Sequence, residues 1–116
     1  MKIENIKSQM RKGVLEYCIL NILNQQEAAY TSDILQELKD AKMIVVEGTV
    51  YPLLTRLKNA GYLTYRWEES TSGPPRKYYY LTDKGHEFLG LMHQSWSELV
   101  NAVNHINQNT LKKSEK

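Results

Sequence analysis

The segment from Gly48 to Leu63 constrains the fold most, because it combines an amphipathic helix, a glycine stop and the start of a strand. Its apolar positions are spaced i, i+3, i+4 and i+7, which predicts a helix with one face on a core. These positions are Val50, Leu53, Leu54 and Leu57. Pro52 lies near the start, so the regular helix either begins at about Thr49 or bends there. Gly61 ends it.

The outward face of this helix carries cations, hydroxyls, an amide and an aromatic ring. These groups contact phosphates and base edges in a DNA major groove. Tyr51 follows a helix start, where its hydroxyl can reach a phosphate; the alternative is a half-buried ring under a neighbouring element. Arg56 can form two hydrogen bonds at once with a phosphate or with guanine O6 and N7; the alternative is a surface ion pair.

Two further helices are predicted before this segment. Residues from about Asn5 to Asn24 predict a first helix, with Gly13 as a weak point. Its apolar stripe is Leu15, Cys18, Ile19, Ile22 and Leu23. Thr31-Ser32-Asp33 supplies N-cap chemistry for a second helix, and the apolar run 43–46 connects that helix to the third. The buried face of the second helix is Ile34, Leu35 and Leu38.

After Gly61 the pattern changes to period two and becomes rich in aromatic residues. Residues 62–69 predict a strand, 70–75 a loop stiffened by two prolines, and 76–81 a returning strand. Three helices followed by a hairpin is the order of a winged helix-turn-helix, whose third helix enters the major groove. The predicted fold is therefore mainly α with a small β-hairpin, the hairpin forming the wing.

Cations near the N-terminus and on the hairpin extend the candidate DNA-binding surface. Four cations and one carboxylate fall between residues 1 and 13, although the net charge of the whole chain is only +2. A localised basic surface is what counterion release from DNA requires. The candidate DNA-contacting residues are Tyr51, Arg56, Thr49, Pro52 and Thr55 on the third helix, Arg76 and Lys77 on the hairpin, and Lys7 and Arg11 near the N-terminus.

Thr82 is expected to cap a last helix that starts at Asp83 and runs to about Leu111. Its apolar residues alternate spacings of three and four, the pattern of a heptad seam. The seam residues are Leu89, Met92, Trp96, Leu99, Val103 and Ile106. Too little domain remains to cover this seam, so we predict a homodimer; the alternative is packing on the first helix of the same chain. The predicted division is a DNA-binding domain, 1–82, and a dimerisation helix with a short polar tail, 83–116, in one compact unit.

Other chemistry is sparse in the sequence. Cys18 is the single cysteine, which excludes an internal disulfide. No run resembles a signal peptide or a membrane span, so a soluble cytoplasmic protein is expected. His86 and His93 are one heptad apart, whereas metal pairs on a helix need spacings of three or four. No catalytic constellation or phosphate loop is present, and we expect neither an enzyme, a metal nor a cofactor.

Three motifs in combination resemble the PadR family of bacterial transcriptional regulators. They are the helix from Gly48 to Leu57, the Gly61-Tyr62-Leu63 sequence, and the run from Arg76 to Gly85. The resemblance implies a dimeric repressor, often autoregulatory, whose DNA binding is relieved by small molecules. The alternatives are a winged-helix module that binds protein without specific DNA binding, and a metal- or redox-sensing regulator.

The long last helix, with Gln94-Ser95-Trp96-Ser97, is most similar to a compact PadR subgroup that includes multidrug-binding regulators. In those proteins a tryptophan from each subunit lines an apolar pore at the dimer interface, and planar aromatic drugs stack between the two rings. Trp96 matches that tryptophan; the alternative is that it fills an interface core without a ligand. The implied ligand residues are Trp96, Met92, Leu99 and Val103, joined by Met10, Val14 and Leu15 if the first helix closes the pore.

Overall fold

The described part of the chain, residues 1–43 and 45–114 of a computed structural model, contains five helices and a two-stranded hairpin. The elements are α1 (Ile3–Lys12), α2 (Leu15–Gln26), α3 (Thr31–Asp40), α4 (Glu47–Asn59), β1 (Leu63–Ser70), β2 (Gly73–Leu81) and α5 (Asp83–Ser114). The predicted winged-helix architecture with a long last helix is thereby confirmed. Ile44, in the predicted connection 43–46, and residues 115–116 of the polar tail lie outside the described residues.

The prediction of one helix over residues 5–24 is wrong, because the chain breaks at Gly13 and forms α1 and α2. The Val14 N–H donates to the Arg11 carbonyl and the Val14 carbonyl accepts from Cys18, both at 3.0 Å, so the two helices share a tight turn. Glycine disfavours a helix interior by about 1 kcal/mol relative to alanine, which makes this the weakest point of the segment. None of the ten residues of α1 is buried.

The core lies between α2, α3, α4, the base of the hairpin and the first turns of α5. Its largest fully buried side chains are Ile19, Leu20, Leu23, Ile34, Val50, Leu54 and Leu63. The capping of α3 differs in detail from the expectation. The helix begins at Thr31, and the Asp33 carboxylate accepts the Tyr30 N–H at 3.0 Å from within the first turn.

Helix α4 begins at Glu47, two residues earlier than the predicted start. Pro52 therefore lies inside the helix, where its ring nitrogen cannot donate to the Gly48 carbonyl. The predicted glycine stop is confirmed. Gly61 has φ +86°, its N–H donates to the Lys58 carbonyl at 2.9 Å, and the next N–H donates to the Leu57 carbonyl at 3.0 Å. This is a Schellman motif, which needs a left-handed residue.

The hairpin is longer than predicted. Residues 70–75 were expected to form a loop, but only Thr71 and Ser72 turn the chain, while Pro74 and Pro75 belong to β2. Proline is tolerated here because each strand of a two-stranded sheet has a free edge. At the other end, Ala29 and Tyr79 exchange backbone hydrogen bonds of 2.9 and 2.8 Å, which fasten the wing to the α2–α3 connection.

Thr82 caps α5 as predicted and also joins it to α4. Its hydroxyl accepts the Gly85 N–H at 3.0 Å and donates to the Gly61 carbonyl at 2.6 Å. Gly85 packs against the backbone of Tyr62 so closely that a Cβ there would lie 1.8 Å from the Tyr62 carbonyl oxygen. Within the described residues, no helix is both long enough and apolar enough to cross a membrane.

Candidate nucleic-acid interface

The starts of α3 and α4 and the hairpin enclose a cleft of about 310 Å³. Its lining residues are Tyr30, Thr31, Glu47, Tyr51, Trp67, Pro75, Arg76, Lys77 and Tyr79. Three of the predicted DNA-contacting residues, Tyr51, Arg76 and Lys77, therefore share one concave surface. A winged helix places its third helix and its hairpin on DNA together, and this cleft lies between them.

The outward face of α4 is arranged as its pattern predicts. Val50, Leu54 and Leu57 are buried, whereas Thr49, Pro52 and Thr55 are exposed. Tyr51 is 46% exposed and lines the cleft opposite the hairpin. Four positions in the first two and a half turns of α4 thus present hydroxyl, methyl and ring groups to solvent.

Arg56 forms an ion pair with Glu16 of α2. Its Nη2 bonds the Oε1 of Glu16, and its Nε donates to the Oε2 at 3.3 Å. The hydrogen bond to Glu16, followed by the charge of that carboxylate, raises the pKa of Arg56. The surface ion pair left open by the sequence is therefore present, and Arg56 lies outside the residues that line the cleft.

The two hairpin cations have different aromatic partners, in agreement with the alternation of a strand. Arg76 donates to the Ser32 hydroxyl at 2.6 Å, and its guanidinium lies 4.0 Å from the ring centre of Tyr30. The Lys77 ammonium lies 4.6 Å from the ring centre of Tyr65. Both cations are held on ring faces, which fixes their positions at the rim of the cleft.

Sequence reasoning missed several residues of this surface. Trp67 is exposed on the hairpin and lines the cleft. Glu47, the first residue of α4, also lines it, and the Ser32 hydroxyl accepts a hydrogen bond from Arg76. Lys58 of α4 lies 5.5 Å from the ring centre of Tyr65 and adds a cation beside the hairpin. The alternating aromatic pattern of residues 62–69 was visible in the sequence, but only the hairpin register shows that Trp67 faces Lys77.

The structure does not bring the N-terminal cations to the cleft. Lys7 is exposed on α1, 3.8 Å from the Glu4 carboxylate. Arg11 instead borders a cavity of about 560 Å³ between α1 and α5. The other residues around that cavity are Met10, Val14, Met43, Trp96, Leu99, Val100, Val103 and Asn104.

Trp96 is 41% exposed and borders both this cavity and a smaller one of about 170 Å³, which Met92 and Tyr17 also line. Six of the seven predicted ligand residues border one of these two cavities. Leu15 borders neither cavity and is 3% exposed, because α2 turns it into the core. Leu89 of the predicted dimer seam is also 3% exposed, because the first turns of α5 pack on the core of its own domain. The later seam residues Leu99, Val103 and Ile106 are exposed.

One further pair of titratable side chains is in contact. The hydroxyl of Tyr17 lies 2.5 Å from His93 Nδ1, which links α2 to α5. Among the residues that the structure describes, no group of three or more histidine, cysteine or acidic side chains could hold a metal ion. Burial raises the pKa of the Cys18 thiol, so its reactive thiolate is disfavoured.

Comparison with known proteins agrees with this geometry. The model of the PadR-like family of transcriptional regulators matches residues 19–91. A PadR-like transcription factor from Bacteroides fragilis is 66% identical, with coverage of 88% of this chain and 98% of that chain and a TM-score of 0.73. A PadR-like regulator from Bacillus cereus is 42% identical (86% and 97% coverage, TM-score 0.75), and one from Eggerthella lenta is 30% identical (90% of each chain, TM-score 0.78). The chain therefore belongs to the PadR-like family of transcriptional regulators.

Proposed function

We propose that this regulator is a homodimeric repressor that binds a pseudo-palindromic operator. In this proposal α4 enters the major groove through Tyr51, Thr49, Pro52 and Thr55, while the hairpin contacts the backbone through its two cations. The observation that carries the proposal is the cleft in which Tyr51, Arg76 and Lys77 meet. Residues 1–82 would bind DNA and the helix from 83 onward would join two copies. A protein with this function would act in the cytoplasm, where the bacterial chromosome lies.

Arg56, Lys7 and Arg11 have weaker support as DNA contacts. Arg56 can reach a phosphate or a guanine only if it exchanges the Glu16 carboxylate for that group. Lys7 and Arg11 lie on α1 and would contact DNA backbone outside the cleft. We therefore assign the main contacts to residues 49–55 of α4 and to the hairpin.

The support for a homodimer is the apolar surface of α5 beyond the core. Leu99, Val103 and Ile106 lie on one stripe of this helix and are exposed, as are Ile3 and Met10 of α1. Exposed apolar patches of this kind mark interaction sites. A second copy would bury the α5 stripe and set two recognition helices about one helical turn of DNA apart, or a multiple of that.

The support for an effector is the apolar cavity beside Trp96. It is open on one side in the single chain, and a volume of about 560 Å³ is enough for a planar aromatic molecule. The indole at its edge offers a flat surface for stacking. We propose that such a molecule binds there and changes the affinity for the operator, which requires that it prefer one of two dimer geometries.

DNA binding is tested by fluorescence-anisotropy titrations over a series of salt concentrations. The probe is DNA from upstream of the protein's own gene, and the control is an unrelated duplex of equal length. We expect salt-dependent binding that favours the upstream DNA by roughly a thousandfold or more. Equal or undetectable binding to both duplexes, together with footprinting that finds no other operator, would instead favour a protein-binding module.

The effector site is tested by tryptophan fluorescence with planar aromatic dyes. We expect quenching in the wild type and in Trp67→Phe, but not in Trp96→Ala. Loss of quenching in Trp67→Phe alone would move the site to the hairpin. Sedimentation of the wild type tests the dimer, since a monomer at all concentrations would contradict it.

A further inference from the structure

Trp67 is a largely exposed indole at the edge of the cleft between α4 and the hairpin. It is 61% exposed, although the residues nearer the base of the same hairpin face are buried or half-buried. Leu63 lies in the core and Tyr65 packs edge-on against Tyr79 with ring centres 5.6 Å apart. Trp67 follows them in the period-two series, where the hairpin extends past the body of the protein.

The surroundings of Trp67 are cationic and lie next to α4. The strand register sets it opposite Lys77, whose ammonium is 5.6 Å from its ring centre. It lines the same cleft as Tyr51 and Arg76. An apolar ring beside two fixed cations complements a strand of DNA backbone, which alternates apolar deoxyribose with charged phosphate.

Glu47 limits where that backbone can run. It lies in the first turn of α4 and lines the cleft together with Trp67. Its carboxylate would repel a phosphate, whereas Lys77 and Arg76 would attract one. The favourable path therefore follows the hairpin side of the cleft, across the face of the indole.

From these contacts we infer that Trp67 is a DNA-binding residue of the wing that packs on a deoxyribose while Lys77 neutralises the adjacent phosphate. This inference rests on the proposed function. It makes the contribution of Trp67 independent of base sequence, since sugar contacts carry no sequence information directly. It also makes that contribution independent of salt, because an indole releases no counterion.

The experiment compares Trp67→Ala, Lys77→Ala and wild type on the upstream duplex and on the unrelated duplex, over a series of salt concentrations. For Trp67→Ala we expect about tenfold weaker binding to both duplexes and an unchanged salt dependence. For Lys77→Ala we expect the slope of log affinity against log salt to fall by about one. Leu91→Ala is the matched control, since Leu91 is 62% exposed on α5 and lies away from the cleft.

A direct readout uses Trp96→Phe, in which Trp67 is the single remaining tryptophan, at DNA concentrations that anisotropy shows to saturate this variant. DNA should protect its emission from quenching by acrylamide. Unchanged affinity of a folded Trp67→Ala, a loss confined to the upstream duplex, or the absence of protection would each overturn the inference while DNA binding by the wild type stands. A wild type that binds neither duplex would overturn the proposed function as well.

Discussion

Replacement of Gly85 by alanine should destabilise the protein, although alanine is the better helix former. Gly85 lies in the first turn of α5, and an added Cβ would be 1.8 Å from the Tyr62 carbonyl oxygen and 2.9 Å from the carbonyl carbon. Both atoms are backbone, so they cannot rotate away. The start of α5 must retreat by more than about 1 Å to restore an ordinary contact.

The size of this displacement determines how much stability the substitution costs. Overpacking strain typically costs about 1–3 kcal/mol. The movement also stretches the bonds from the Gly85 N–H to Thr82 and from the Thr82 hydroxyl to Gly61, each worth about 1 kcal/mol. The higher helix propensity of alanine offsets about 1 kcal/mol of this loss. We therefore expect Gly85→Ala to lower the free energy of unfolding by about 2–4 kcal/mol.

The assay is urea denaturation at fixed protein concentration, followed by circular dichroism. Gly90→Ala is the matched control, because Gly90 lies in the same helix with nothing within 4 Å of an added Cβ. It should gain about 0.5–1 kcal/mol from propensity alone. A Gly85→Ala protein as stable as the wild type, with an unchanged denaturant slope, would refute the steric reasoning.

Three other predictions follow from local geometry. Gly61→Ala should lower the free energy of unfolding by about 1 kcal/mol, because φ is +86° there; thermal denaturation checks this, and an unchanged midpoint would contradict it. Cys18 should react with a thiol reagent at pH 7 more slowly than free cysteine, since burial raises its pKa, and the rate should rise in urea; equal rates would mean that the thiol is accessible. If Arg56 contacts DNA, Arg56→Ala should weaken operator binding roughly 5- to 150-fold and Glu16→Gln should strengthen it. Anisotropy titrations that change in neither variant would limit the ion pair to a structural role.

Features encoded by local chemistry could be predicted from the sequence. The stop at Gly61 and the cap at Thr82 each depend on one residue and its immediate neighbours, and both were found. The buried face of α4 followed from periodicity. The break at Gly13 was harder, since a single glycine disfavours a helix but does not by itself end one.

Features that depend on distant partners could not be predicted. The heptad spacing of α5 is continuous from Leu89 to Ile106, yet the domain itself buries Leu89 and leaves the later positions exposed. Periodicity identifies an apolar stripe but not what covers it. In the same way, Arg56 and Glu16 are 40 residues apart, and only the packing of α4 on α2 brings them together. The two prolines at 74–75 indicated a loop, because proline is usually excluded from paired strands. The sequence does not show that this strand has a free edge, where proline is tolerated.

The Thr82 hydroxyl also has a mechanical consequence. It is bonded at once to the end of α4 and to the first turn of α5, so the two helices meet at a stiff joint. The 32 residues of α5 make a lever about 48 Å long. A rotation of only about 5° of α5 together with the domain joined to it displaces the far end of the helix by about 4 Å over that length. In a dimer held along α5, a small change in the packing of the two α5 helices would alter the distance between the recognition helices. The affinity for an operator with a fixed spacing of half-sites would then depend on that distance.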